Sequence, residues 1–316
     1  MTLFSINFKK HLLTILLLLI FGLQLSAQEK SKYSLLWKIE GKDQLKPSYL
    51  FGTMHVSDER AFNFSDAVLP AIENTEKFAL EIQPDSLVIK MFTKPKIELA
   101  YLQFKKLLND DEYSKIAKRF KAINGYDIEE STLYDPSILM SMLSPDSEKE
   151  TDKTTFVDMH LLGHAKTMQK EIVGLEDTDS QLFYFENATD ERKRELLLEE
   201  FFYGIETYET ETEALKKVYI TGDINAIDAM IMSYDGYGEE MKSRNIVMTN
   251  SIIKQMKNSS IFSAVGAAHL PGNVGLIKML RDTGYKVTPV EAKFTGVANN
   301  YTIDTSKMSW HTFSSE

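Results

Sequence analysis

The sequence contains the stretch SYLFGTMH at Ser48–His55 and a similar stretch, IFSAVGAAH, at Ile261–His269. Each is a run of apolar and β-prone residues that ends in Gly-x-x-His, which predicts a buried strand followed by a histidine in the next loop. Glycine has no Cβ, so at the end of a buried strand it permits a sharp bend or a close backbone approach. Ligands bind at the carboxyl ends of strands in open α/β sheets, so two such strands side by side would bring two imidazoles to one cleft. A single Gly-x-x-His is common in loops, and only the pair favours a functional site.

The first 27 residues have the layout of a secretory signal peptide. Two lysines precede an apolar segment at Leu12–Leu25, which is too short to span a bilayer comfortably, and Ser26–Ala27 provide small residues for cleavage. We therefore predict that residues 1–27 are removed and that residues 28–316 are periplasmic or secreted. Leu25 is larger than the residue usually found three positions before the cut, so an uncleaved N-terminal anchor is the alternative.

Composition excludes several classes of function. The chain has no cysteine, which excludes disulfides, thiol chemistry and a lipid anchor on a cysteine. Loss of the two leader lysines changes the net charge from −10 to about −12, which argues against nucleic acid and anionic membranes as partners. No apolar run after the leader approaches the roughly 20 residues of a membrane span, so we predict no stable membrane insertion after cleavage.

The pattern along the chain predicts an α/β fold, with a mixed β-sheet core, flanking helices and a largely helical insertion at about 84–260. Residues 28–316 are predicted to form a single domain. Strands are predicted at 34–39, 48–55, 77–82, 170–175, 261–269 and 285–290. The first two strands are predicted to form a hairpin. The last two are separated by a predicted helix from Leu270 to Asp282, an order that indicates a crossover.

Glu81 is a carboxylate within the apolar strand KFALEI at Lys77–Ile82. Burying a carboxylate costs several kcal/mol unless it is paired, protonated or bound to a metal. This position therefore indicates a functional group. The alternation of the strand equally permits a solvated face for Glu81, and both interpretations stay open from the pattern alone.

His160 and His164 form an i,i+4 pair on a predicted helix at 154–170, where they would share one face and could bind a metal ion. The pair resembles half of the HExxH motif of zinc proteases. Leu161 stands where that motif has its glutamate, so the general base is missing. The alternative is that these are ordinary histidines on a helix surface.

Taken in order, the motifs resemble the TraB/GumN family, which includes the Tiki-type metalloproteases. The resemblance covers about residues 34–292 and is carried by WKI, SYLFGTMH, an ALEI-type strand, D-x-x-L-x-x-x-A, VGLE with a following Gln, RN, GAAHL and GLIKMLRDTGYKVTPV. The main motif residues of the family fall on His55, Glu81, Arg244 and His269. Weaker family positions fall on Asp158, Glu176 and Gln181, whereas His160 and His164 match none.

The resemblance implies an exported metal-dependent hydrolase, most simply a peptidase, with a peptide or small-molecule substrate. His55, His269 and Glu81 would bind one divalent ion (manganese, cobalt or zinc), with Glu81 as a third ligand or the general base. Arg244 would stabilise an oxyanion or bind a substrate carboxylate. Two alternatives stay open: a protein that binds a peptide, glycan or metabolite without turnover, and a purely structural role for the histidines.

Overall fold

A computed structural model describes residues 35–41, 44–86, 97–143, 152–177, 188–202, 205–233, 237–296, 298 and 301. The predicted leader at 1–27 lies outside these residues. Helices flank a mixed six-stranded sheet, which confirms the predicted α/β class. Within the described ranges, no helix combines the length and the apolar character needed to cross a membrane.

The sheet contains all six predicted strands. They are β1 (Leu36–Glu40), β2 (Ser48–Thr53), β3 (Lys77–Leu80), β4 (Glu171–Gly174), β5 (Ile261–Gly266) and β6 (Lys286–Pro289), in the order β4-β3-β5-β2-β1-β6. The antiparallel pairing of β1 with β2 confirms the predicted hairpin, and β1 also pairs antiparallel with β6. The pairs β2·β5, β5·β3 and β3·β4 are parallel. The carboxyl ends of β2, β5, β3 and β4 therefore lie along one edge of the sheet.

Ten helices are bounded within the described residues. They are α1 (Val68–Asn74), α2 (Ala100–Leu107), α3 (Asp110–Asn124), α4 (Pro136–Ser141), α5 (Val157–Thr167), α6 (Asp190–Phe202), α7 (Ile205–Thr221), α8 (Ile224–Ile231), α9 (Tyr237–Met256) and α10 (Leu276–Asp282). Short 3-10 turns occur at Glu59–Phe62, Ile128–Glu130 and Ala267–His269.

Local sequence signals account for several of the helix ends. Asn109 begins α3 with a reciprocal capping box, because its side chain accepts from the Glu112 amide while the Glu112 carboxylate accepts from the Asn109 amide. The same helix ends at Gly125, whose φ of 81° lies in the left-handed region that glycine adopts easily. Asp135 caps α4, with a proline at the first helical position.

The main hydrophobic core lies against the sheet. Its central strand β5 is buried from Ile261 to Val265, and the ring of Phe262 stacks on that of Phe78 in β3 with centroids 5.7 Å apart. A second buried cluster lies among α2, α3, α4 and α6. This second cluster falls inside the range predicted as a helical insertion, 84–260, but β4 falls inside that range too and belongs to the main sheet. The division into leader and single domain stays a prediction.

The predicted start of the last helix, Leu270, was wrong, because α10 begins only at Leu276. Residues 270–275 form a tight turn instead, in which Gly272 has a φ of 78° and the amide of Gly275 bonds to the Gly272 carbonyl. A left-handed residue cannot continue a right-handed helix. The order β5–α10–β6 is still a crossover, since β6 runs in the same direction as β5 on the far side of β2 and β1.

Candidate functional site

Chemically active side chains follow the four parallel strands directly. His55 lies just beyond β2, Glu81 follows β3, Glu176 lies just beyond β4, and His269 ends the 3-10 turn after β5. The two strands that carry Gly-x-x-His are neighbours in the sheet. This is the sheet edge at which ligands bind in open α/β folds. The predicted juxtaposition of the two motifs is therefore confirmed at the level of the strands.

The glycine of each motif occupies a position where a Cβ would meet a close neighbour. A Cβ on Gly52 would lie 2.7 Å from Cδ1 of Leu270 and 3.0 Å from both Cα and Cβ of Ala267, so the turn of the second motif packs directly on the strand of the first. A Cβ on Gly266 would lie 3.2 Å from Oε1 of Glu81. Close approach rather than an unusual φ explains both glycines.

Glu81 connects the second motif to helix α9. Its Oε1 accepts a hydrogen bond of 2.7 Å from the Gly266 amide, and its Oε2 accepts one of 2.7 Å from Nη2 of Arg244. Nε2 of His269 lies 3.6 Å from the same Oε1. Of the two interpretations that the strand pattern left open, the contacts favour an inward-facing group over a solvated one.

Arg244 bridges Glu81 and Glu176. Its Nε and Nη2 donate to the Glu176 carboxylate at distances between 2.6 and 3.2 Å, and Nη2 also reaches Glu81. Burial acts to lower the pKa of Arg244, but the hydrogen bonds and charges of the two carboxylates outweigh it and raise this pKa above its ordinary value. Arg244 is therefore a permanent cation that holds Glu81 in a defined orientation.

His269 is the buried histidine of the site, with a side chain only 5% exposed. Its Nδ1 lies 2.6 Å from Oδ1 of Asn245, the residue after Arg244 on α9. Burial is the main cause that lowers the pKa of His269 below its ordinary value. Asn245 was not among the predicted site residues, although it is the second residue of the RN motif that forms part of the family resemblance.

His55 is the exposed histidine of the site, with a side chain 67% exposed. Its Nδ1 lies 3.2 Å from both carboxylate oxygens of Asp158, in the first turn of α5, and its ring stacks on Phe156 with centroids 3.9 Å apart. The hydrogen bond with Asp158 is the main cause that raises the pKa of His55, and the charge of Glu81 adds to it. Asp158, one of the weaker positions in the family resemblance, thus contacts His55, one of the main motif residues.

The predicted set of three metal ligands is only partly assembled. Glu81 and His269 face each other, whereas the side chain of His55 is hydrogen-bonded to Asp158. Within the described part of the chain, no group of three or more His, Asp or Glu residues is arranged so that it could hold a metal ion. Metal binding by His55, Glu81 and His269 therefore stays a proposal.

Comparison with known protein families gives a match to the TraB/PrgY/gumN family over residues 35–289. The chain belongs to this family. The match runs from the start of β1 to the end of β6 and includes every site residue named above, which confirms the resemblance seen in the sequence. Neither the curated proteins nor the solved structures contain a match.

Of the remaining candidate residues of this TraB/PrgY/gumN protein, His160 and His164 are not part of the group formed by Glu81, Arg244 and His269. His160 packs against the rings of Phe62 and Phe64, and Nε2 of His164 lies 3.5 Å from the buried carboxylate of Glu73. Burial is the main cause that lowers the pKa of both histidines. These different surroundings favour packing roles over a shared metal ion for His160 and His164. Gln181 lies outside the described residues.

Proposed function

We propose that this TraB/PrgY/gumN protein is an exported metal-dependent hydrolase whose first candidate substrates are peptides. The observation that carries the proposal is the pair formed by Nε2 of His269 and Oε1 of Glu81, 3.6 Å apart at the carboxyl edge of the sheet. His55, just beyond the neighbouring strand β2, would provide a third donor at the same edge.

The separation of the pair fits a shared metal ion. Two ligand atoms that each lie about 2.0–2.2 Å from a tetrahedral ion are about 3.3–3.6 Å from one another. The 3.6 Å between the nitrogen and the oxygen is too long for a hydrogen bond and lies at the upper end of that range. The donor types, imidazole and carboxylate, suit zinc, cobalt and manganese.

The charge of the site also favours a divalent ion. The charged groups of the site are three carboxylates and one guanidinium: Glu81 and Glu176 contact Arg244, and Asp158 contacts His55. With both histidines neutral, as ligation requires, these groups carry a net charge of −2, the difference between three negative charges and one positive charge. A partly buried site with that charge is stabilised by a bound cation of charge +2.

In the proposed reaction, Glu81 and His269 would hold the ion and His55 would complete the ligand set. A bound divalent ion would lower the pKa of a water molecule and polarise a scissile carbonyl. Arg244 orients Glu81 through Nη2. Its Nη1 makes no hydrogen bond to any residue that the structure describes, so this atom is the one we assign to a substrate oxygen or a developing oxyanion.

Metal binding to the purified chain is the direct test. Manganese, cobalt and zinc would each be titrated into the wild type, a His55→Ala/His269→Ala double variant, and a His160→Gln control outside the site. We expect one ion per wild-type and control chain and none in the double variant. A chain that bound no ion, or a double variant with unchanged affinity, would refute the metal site.

Catalysis needs a second measurement, a peptide-library cleavage screen with and without a chelator. We expect metal-dependent cleavage that falls by several orders of magnitude in His55→Ala, while folding is largely retained. Full metal-dependent activity in that variant would contradict the assignment of His55. Export is tested separately by the N-terminal residue of the mature protein, which we expect to be Gln28.

The alternative function is extracytoplasmic binding of a peptide, glycan or metabolite without turnover. It is favoured by the internal hydrogen bonding of the site, because both oxygens of Glu81 already accept from the protein and the ring of His55 is held by Asp158. A saturable ligand found without cleavage, and without an effect of the chelator, would select this function over hydrolysis.

A further inference from the structure

We propose that Asn245 is a positioning residue that fixes the tautomer of His269. The proton is held on Nδ1, so Nε2 keeps its lone pair and presents it towards Glu81. The inference deepens the proposed function of the same site. Its first test is on the protein without metal, so the two ideas can fail independently.

The orientation of the Asn245 amide is decided by two backbone carbonyls. Its Nδ2 lies 2.7 Å from the carbonyl oxygen of Val274 and 3.5 Å from that of His269. The reversed amide would place its own oxygen against these acceptors at the same distances, which is repulsive. The nitrogen therefore faces the carbonyls, and Oδ1 faces the imidazole.

The amide oxygen in turn decides the state of the ring. An amide oxygen only accepts hydrogen bonds, so Nδ1 of His269 must be the donor across their 2.6 Å separation. The contact is shielded from water, because Asn245 is 0% exposed and His269 is almost as deeply buried. Loss of a buried partner would leave an unsatisfied group, so the protein holds this arrangement strongly. A ring with its single proton on Nδ1 has a bare Nε2.

Helix α9 orients both members of the proposed ligand pair through consecutive residues. Arg244 donates from Nη2 to Oε2 of Glu81, and Asn245 accepts from Nδ1 of His269. Glu81 and His269 face each other through Oε1, which also accepts from the Gly266 amide, and Nε2. Outer groups of this kind typically change metal affinity by about 10–100-fold. One rigid helix thus sets the direction of two donors from different strands.

The decisive experiment is nitrogen NMR of the histidine rings in the metal-free, full-length wild type at neutral pH. The His269 signals would be assigned by their absence from a His269→Gln variant. We expect a protonated Nδ1 and an unprotonated Nε2. A ring protonated on Nε2, alone or together with Nδ1, would overturn the inference whatever the variants do.

Variants on α9 extend the test to metal affinity. Asn245→Leu keeps a similar volume and removes the acceptor, while Thr249→Val removes a buried hydroxyl one turn further along the helix, where it contacts Met279. We expect Asn245→Leu to lose the single tautomer and to bind zinc about 10–100-fold more weakly, and Thr249→Val to change neither. A folded Asn245→Leu with the wild-type tautomer and affinity would refute the role of Asn245. If that variant does not fold, the wild-type spectrum alone decides.

Should the wild type show the expected tautomer but bind no metal ion, the positioning role stands and the proposed metal function falls. Should it bind metal with the other tautomer, the metal function stands and the role of Asn245 falls. The two results are thereby separable.

Discussion

Replacing Gly52 by alanine tests the contact between the two Gly-x-x-His motifs. The added methyl would lie 2.7 Å from Cδ1 of Leu270 and 3.0 Å from the backbone Cα of Ala267. Leu270 is 0% exposed and Ala267 belongs to the turn that ends at His269, so neither can withdraw into solvent. Relief of the overlap must instead move that turn away from β2.

The expected cost follows from overpacking a filled interior. Extra methyl groups in well-packed cores typically destabilise by about 1–3 kcal/mol. Gly163 is the matched control, because it is exposed in helix α5 and a Cβ there would meet nothing within 4 Å. Gly163→Ala should therefore stabilise by roughly 0.5–1 kcal/mol through helix propensity alone. The two chemically identical changes should differ by about 1.5–4 kcal/mol and have opposite signs.

Urea unfolding of the wild type and both variants measures this difference, provided that the slopes agree so that midpoints report stability. Displacement of the turn should also weaken metal affinity in Gly52→Ala and leave it unchanged in Gly163→Ala. A Gly52→Ala protein as stable as the wild type would show that the turn does not pack on β2 as described.

Two further perturbations test the charged groups. Arg244→Met leaves the Glu81 and Glu176 carboxylates without their shared cation. Because Arg244 is partly exposed, we expect the free energy of unfolding to fall by an amount near the lower end of the roughly 3–5 kcal/mol found for broken buried pairs. Zinc binding should also weaken. Arg60→Met, which removes another arginine that bridges two carboxylates, should destabilise without changing zinc affinity, and equal affinities in both variants would contradict the role of Arg244. Hydrogen bonds from Arg60 are the main cause that lowers the pKa of Asp58, so the unfolded state binds more protons than the folded state below about pH 5, and stability falls as the pH drops there. Asp58→Asn should flatten that fall in urea midpoints between about pH 5 and 3, and an unchanged slope would rule out this contribution.

Strands and turns could be predicted because their signals are local. Apolar runs such as Ile261–Val265 and helix-ending residues such as Gly125 act over a few neighbours, so the six strands and several helix ends follow from short windows. The start of the last helix was wrongly predicted at Leu270 because these signals are only local. The left-handed conformation of Gly272 and the tight packing of Gly275 are set by the folded turn, and the sequence pattern there equally permits a helix.

The sequence was less informative about which side chains meet. Glu81 is separated by 163 residues from Arg244 and by 185 residues from Gly266, yet it bonds to both. No local pattern reports such contacts, because they depend on strand order and on the path of α9 over the sheet. For the same reason the pairing of His55 with Asp158 was not foreseen.

The sequence by itself determined the α/β class, the two strands that end in Gly-x-x-His, and the family. These properties reside in residue types at fixed spacings, which survive without knowledge of the fold. Only the tertiary structure decided that Glu81 faces His269, that Arg244 is paired with two carboxylates, and that Asn245 contacts the ring of His269. The physical reason is that hydrogen bonds act over about 3 Å, whereas the residues that form them lie far apart in the chain and meet only after the sheet has assembled.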